Sequence, residues 1–162
     1  MFRTAYENGI PTSFDLNLRV DNGVLDPSYR DAVMEIIQYS NYVLGSGAEE
    51  FYYLNPRDSW EDSVRGLVRA GHVMVARMGR NGSKAFSMDE EVERPAFHVT
   101  VEDTVGAGDV YNAGFIAKRL EAAPCPNAWN MAMRSQVIPW SAREPGPAHT
   151  GMTWKHFWKD TG

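Results

Sequence analysis

Apolar runs of strand length alternate with stretches of helical periodicity, and that alternation restricts the chain to few architectures. Ile10 to Leu16 ("IPTSFDL") reads as a strand, with Pro11 near its start, where proline is tolerated. Asp26-Pro27 opens a helix, an N-cap acceptor followed by proline at the first helical position. Ala32, Val33, Ile36 and Ile37 form its apolar face. Tyr42 to Leu44 reads as a short buried strand, broken by Gly45-Ser46-Gly47, and Ala48 to Leu54 as helical. Ser59 caps a further helix whose inner face is Trp60, Val64, Leu67 and Val68, and Val73 to Met78 is a strand again. Strands separated by helices pair in parallel, because a parallel connection needs a long crossover. The expectation is an α/β fold, a Rossmann-like, mostly parallel sheet flanked by helices, with its ligand edge at the C-terminal ends of the strands.

The segment after Val73 departs from that pattern. Asn81-Gly82 separates "VMVARM" from "SKAFSM", and both residues accept positive φ, which signals an antiparallel hairpin. Asp89 to Glu93 ("DEEVE") reads as a solvated acidic turn, and Ala96 to Val101 as another strand. A helix follows from about Asp109 to Ala122, ended by Pro124 and Pro126, and a further one covers about Asn127 to Trp140. The tail from Arg143 is rich in Pro, Gly and Trp.

Composition removes several function classes. The 162 residues suit a single domain, 1–162, that can bury a sizeable core. A formal net charge of −5 and the lack of a basic run argue against a nucleic-acid partner held through its phosphates. The single cysteine, Cys125, excludes an internal disulfide. The histidines, His72, His98, His149 and His156, lack zinc-ligand spacing. No apolar run reaches membrane length, and "MFRTAYENGI" has no signal-peptide core, so a cytoplasmic protein without a membrane partner is expected.

The stretch that carries chemistry is "EDTVGAGDVYNAGF", residues 102 to 115. Free N–H groups and aligned peptide dipoles at a helix N-terminus attract anions, and glycine lets the backbone approach them closely. Gly106, Ala107 and Gly108 can therefore present successive N–H groups to a phosphate. Asp109 would repel that ligand unless its carboxylate has a task beside it. Accepting a proton from an attacking hydroxyl is such a task. An ordinary helix cap after an ordinary strand-to-helix turn would use the same residues. Neither G-x-x-x-x-G-K-[ST] nor G-x-G-x-x-G is present, since Tyr111 stands where the third glycine of the latter belongs.

"DTVGAGDVYNAGF" closely resembles the C-terminal signature of the ribokinase-like (PfkB-type) carbohydrate kinases, D-T-x-G-A-G-D, at every position from Asp103 to Asp109. "TSFDLNLR" (12–19) is similar to that family's S-F-D-x-N-x-R segment, "VMVARMGRNGS" to its strand-to-hairpin segment, and "SAREPGPA" to its closing turn. The resemblance implies ATP-dependent phosphoryl transfer, with Mg²⁺, to a sugar or sugar acid. It implies Asp109 as general base and Gly106, Ala107 and Gly108 as the anion hole. Asp103 and Thr104 would lie beside the nucleotide phosphates and a loop for a monovalent cation. Gly79 and Gly82 would border the nucleotide, and Asn112 the adenosine. Asp15, Asn17 and Arg19 would face substrate and phosphate. F-D-x-N-x-R is frequent in the 2-keto-3-deoxygluconate kinase and fructokinase branches, where an arginine can reach an acidic sugar.

Departures from that family bound the expectation. Its members are usually longer, and the first βαβ units, the early glycine-rich motifs and the lid sheet have no counterpart here. The chain is thus expected to be the C-terminal, nucleotide-binding portion, incomplete for turnover, with a sheet edge open to a homodimer or to a missing N-terminal half. Where the family has Asn-x-x-Glu for magnesium, "LGSGAEEFYYL" offers Glu49 or Glu50, while the asparagine position falls on Ser46 or Gly47. Pro139 and Trp140 interrupt a segment that packs near adenine. A non-catalytic domain that binds adenine nucleotide or a partner is the alternative.

Overall fold

The computed structural model describes residues 1–96 and 106–120. Its elements are α1 (Phe2–Glu7), β1 (Ser13–Asp15), α2 (Pro27–Ile37), β2 (Tyr42–Ser46), a π-helical turn (Gly47–Phe51) running into α3 (Tyr52–Leu54), α4 (Trp60–Arg65), β3 (Val73–Arg77), β4 (Ser83–Phe86), β5 (Glu91–Arg94) and α5 (Ala107–Leu120). The five strands form one sheet in the order β1-β2-β3-β4-β5. β1, β2 and β3 are parallel, while β4 and β5 run antiparallel to their neighbours, so the sheet is mixed.

Local signals in the sequence produce the helices between the parallel strands. Asp26 caps α2 by accepting the Tyr29 N–H at 2.9 Å, and Pro27 fills its first turn. Ser59 caps α4 through the Asp62 N–H at 3.1 Å. Of the expected faces, Val33 and Ile37 on α2 and Val64 with the following Leu67 are buried, Ile36, Trp60 and Val68 are partly buried, and Ala32 is exposed.

Strand alternation divides the core in two. Val43, Met74, Ala76 and Phe86 point to one side, where α2, α4, Leu16, Phe51 and Leu54 cover them. Leu44, Val75 and Ala85 point to the other side and meet Tyr111 and Phe115 of α5. The buried Tyr111 hydroxyl donates to Ser83 Oγ at 2.9 Å and ties α5 to β4. The result is helices on both faces of a sheet, as the strand and helix periods require.

Several boundaries differ from the expectation. β1 covers only Ser13–Asp15, because Thr12 turns its hydroxyl to Tyr39 O and Asn41 Oδ1. Residues 48–54 begin as a π-helical turn. The hairpin forms, but Asn81 does not take positive φ. The loop is a 3₁₀ turn, Gly79–Asn81, and the residues at positive φ are Gly79 (+55°) and Gly82 (+97°). Gly82 is required there, since a Cβ would overlap Arg94 O and lie 2.8 Å from Pro95 C. The acidic segment is not a turn, since Glu91–Arg94 forms β5, whose Glu91 bonds Arg65 and Lys84. α1 was not anticipated. It is held by Tyr6 O–H against His72 Nε2 at 3.3 Å and by an edge contact between Phe2 and Phe14. α5 starts at Ala107 rather than Asp109. Asp103, Thr104, residues 97–101 of the expected strand, Cys125 and everything after residue 120 lie outside the described residues.

Candidate active site

The register of the parallel strands builds the site. Asp15 pairs with Leu44 and Leu44 with Val75, so Asp15 ends a row that faces α5. Two residues further along, Ser46 pairs with Arg77 and Arg77 with Ser83, on the same face by the period of two. These positions lie at the C-terminal ends of β2 and β3, just beyond the apolar residues that α5 covers. The α5 N-terminus comes down onto them. Asp15, Asn17, Ser46, Glu50, Arg77, Gly106, Gly108 and Asp109 line one open cleft of about 230 Å³ there.

At its floor lies the Arg77 guanidinium, with 12% of the side chain exposed. It donates through Nη1 to Asn112 Oδ1 at 2.6 Å and through Nη2 to Asp15 Oδ1 at 2.9 Å, and Glu50 Oε2 lies 4.0 Å away. Glu50 is itself anchored. Its Oε1 accepts the Leu18 N–H at 2.6 Å and its Oε2 the Ser46 N–H at 2.5 Å, which joins the segment after β1 to the end of β2.

Above the floor sits the glycine turn. Gly106 has φ +75°, a left-handed conformation that favours glycine. The first helical bond of α5 runs from the Val110 N–H to Gly106 O at 3.0 Å. The main-chain N–H groups of Ala107, Gly108 and Asp109 precede that bond and stand outside the helical ladder. A Cβ on Gly108 would lie 3.5 Å from Arg77 Cζ and Nη1, so the guanidinium faces the turn across the space a side chain there would take.

The expected residues fall into three groups. Asp15, Asn17, Glu50, Gly106, Gly108 and Asp109 come together in the cleft, and Ala107 lies in its turn. Arg19 and Glu49 are exposed and do not line it. Gly79 and Gly82 belong to the hairpin loop, and Asn112 is engaged by Arg77. Sequence reasoning missed Arg77, and it reached Ser46 only as a possible counterpart of the family's magnesium-motif asparagine. The available signal was an arginine closing an apolar strand at the same parity as Val75. Among the described residues no group of three or more Asp, Glu, His or Cys side chains could cage a metal ion by itself. Among the same residues, no helix is long and apolar enough to cross a membrane.

Residues 6–135 match the pfkB family carbohydrate kinases. A fructokinase of Rhizobium leguminosarum bv. trifolii is 29% identical over 105 residues, 65% of this chain and 32% of that protein. A 1-phosphofructokinase of Haloferax volcanii is 41% identical over 51 residues, 32% of this chain and 17% of that protein. The fold is similar to that of an E. coli putative ribokinase II in complex with ATP and Mg²⁺, with a TM-score of 0.75 at 24% identity over 85% of this chain and 44% of that one. Arabidopsis thaliana ribokinase complexed with ribose and ATP gives 0.69 at 16% identity, over 85% of this chain and 43% of that one. The chain thus spans less than half the length of these relatives. With residues 6–135 matched, most of its length, the chain belongs to the pfkB family of carbohydrate kinases.

Proposed function

We propose that the cleft serves ATP-dependent phosphoryl transfer to a hydroxyl of a sugar or sugar acid, with this chain, 1–162, as the nucleotide-binding portion of the kinase. One observation carries the reading: Asp109 and the glycines Gly106 and Gly108 of the turn that opens α5 share a cleft with Asp15 and Asn17 at the C-terminal sheet edge.

In this reading the N–H groups of Gly106, Ala107 and Gly108 hold the γ-phosphoryl oxygens. Asp109 takes the proton of the acceptor hydroxyl as its oxygen attacks phosphorus. The bond from phosphorus to the β-phosphate bridging oxygen breaks, and ADP leaves. Asp15 and Asn17 orient the acceptor. Mg²⁺ arriving with the nucleotide phosphates would neutralise their charge, since a Mg²⁺ site needs only one or two carboxylates besides water and phosphate. Glu50 fits a water-mediated contact, because both its oxygens already accept main-chain N–H groups. Asp103 and Thr104, whose surroundings are undescribed, retain the family role beside the phosphates and a monovalent cation. The fructokinase relative supports seeking the acceptor among the sugars of fructokinases, and the F-D-x-N-x-R resemblance adds the sugar acids of 2-keto-3-deoxygluconate kinases.

The test is ADP release by the chain with ATP and Mg²⁺ across a panel of neutral sugars and sugar acids. Sugar-dependent release supports the reading. Saturable ATP binding with no sugar-dependent release on the whole panel replaces it with a non-catalytic nucleotide-binding domain. The position of β1 at the sheet edge, among the described residues, favours that second reading, because an unpaired edge suits a partner strand.

A further inference from the structure

We propose that Arg77 is a catalytic residue of this cleft, the cation whose guanidinium fork takes the oxygens of the transferred phosphoryl group. The proposal rests on the phosphoryl-transfer reading above and names a residue that the glycine-turn signature does not contain.

Charge is the first argument. Asp15, Glu50 and Asp109 line the cleft, and Arg77 is the one cationic side chain lining it among the described residues. A phosphoryl group carried into such a cleft meets carboxylates on several sides and needs a facing positive charge. An arginine guanidinium carries a positive charge and presents donors in a fork that matches phosphate oxygens.

Position is the second argument, and it is independent of the first. A helix N-terminus carries partial positive charge and favours anions, so cations belong at the other end. The Arg77 guanidinium nevertheless faces the first turn of α5, 3.5 Å from where a Gly108 Cβ would stand. Two positive groups held face to face are a local conflict, of the kind that folds retain at functional sites. An anion seated between the fork and the open N–H groups of Ala107 to Asp109 satisfies both at once. The Asp15 and Asn112 oxygens hold the guanidinium at that place. Among the described residues these bonds engage two of its five N–H groups, which leaves fork capacity toward the turn.

The experiment uses inorganic tripolyphosphate, which carries the phosphate chemistry without adenine or sugar, titrated into the chain by calorimetry at low ionic strength. Wild type is expected to bind saturably. Arg77→Gln is expected to weaken binding by about 10- to 100-fold, the size of one lost charge-assisted hydrogen bond, and Arg77→Lys to recover part of it. Gly108→Ala tests the same point without touching the arginine. Its methyl enters the gap at an ordinary contact distance, so the melting temperature holds or rises while tripolyphosphate binding weakens. No saturable binding by wild type overturns the proposal. So does wild-type affinity in a folded Arg77→Gln chain or in Gly108→Ala. The kinase reading is judged separately, because sugar-dependent ADP release that persists in Arg77→Gln leaves that reading standing and removes Arg77 from it.

Discussion

Replacing Glu50 by glutamine tests whether this carboxylate is a structural anchor of the site. The side chain is mostly buried, 13% exposed, and each of its oxygens accepts one main-chain N–H, from Leu18 and from Ser46. Glutamine keeps one acceptor oxygen and turns an NH₂ group toward the other N–H, so one bond is lost and two donors face each other. A hydrogen bond to a charged group contributes about 1.5–3 kcal/mol, and leaving a buried donor unpaired costs about 1–3 kcal/mol. Since the lost bond and the stranded donor describe the same event, the net expectation is about 2–3 kcal/mol rather than their sum. Glu50→Ala, which strands both N–H groups, should cost more, about 3–5 kcal/mol. Urea unfolding followed by circular dichroism is the assay. With a slope of about 1–3 kcal/mol per molar, the Glu50→Gln midpoint should fall by about 1 M, with the slope unchanged. A variant within about 0.5 kcal/mol of wild type would refute the reasoning, because surface substitutions fall in that range. The carboxylate would then be free for another task, and direct metal binding would regain ground.

Two further predictions concern the scaffold. Gly82→Ala should lose about 1–3 kcal/mol or more in the same assay, because φ +97° is strained for any L side chain and the Cβ collides with the end of β5; an unchanged midpoint would contradict the hairpin geometry. His72 is buried, its Nδ1 has no hydrogen-bond partner among the described residues, and burial together with the charge of Arg69 holds its pKa below the ordinary 6.5. The unfolded chain therefore takes up this proton first as pH falls, so His72 supports the fold fully above about pH 6.5 and that support is lost below it. Melting temperatures at pH 7.5 and 5.5 should differ more in wild type than in His72→Asn, and equal differences would sink this reading.

What the sequence revealed follows from how local each signal is. The caps at Asp26 and Ser59 were legible because a cap is made within a few residues, and both form the bonds expected of them. The glycine turn and Asp109 were legible for the same reason, and the register of the sheet brought Asp15 to them. Arg77 was not legible, because its meaning depends on pairing with Ser46 across β2 and on α5 arriving from far along the chain. β5 was hidden by its charges. Glu91 sits on a strand that is outermost among the described residues, where Arg65 and Lys84 answer it from other elements. α1 is short and has no side-chain cap, and distant partners, His72 and Phe14, hold it. The hairpin was anticipated, yet Asn-Gly misled about its turn, since the close approach of Arg94 to Gly82 chooses the loop conformation.

The most direct test of the account is the rate of sugar-dependent ADP release by Asp109→Asn set against wild type, both in an assembly whose wild-type form turns over, with ATP affinity measured on the same samples. Loss of a positioned base should lower the rate by about 10²–10⁴ while nucleotide affinity is retained, since asparagine removes the proton acceptor and leaves the glycine turn intact. Equal rates in the two proteins would contradict the account, because the carboxylate behind the turn would then have no part in moving the proton.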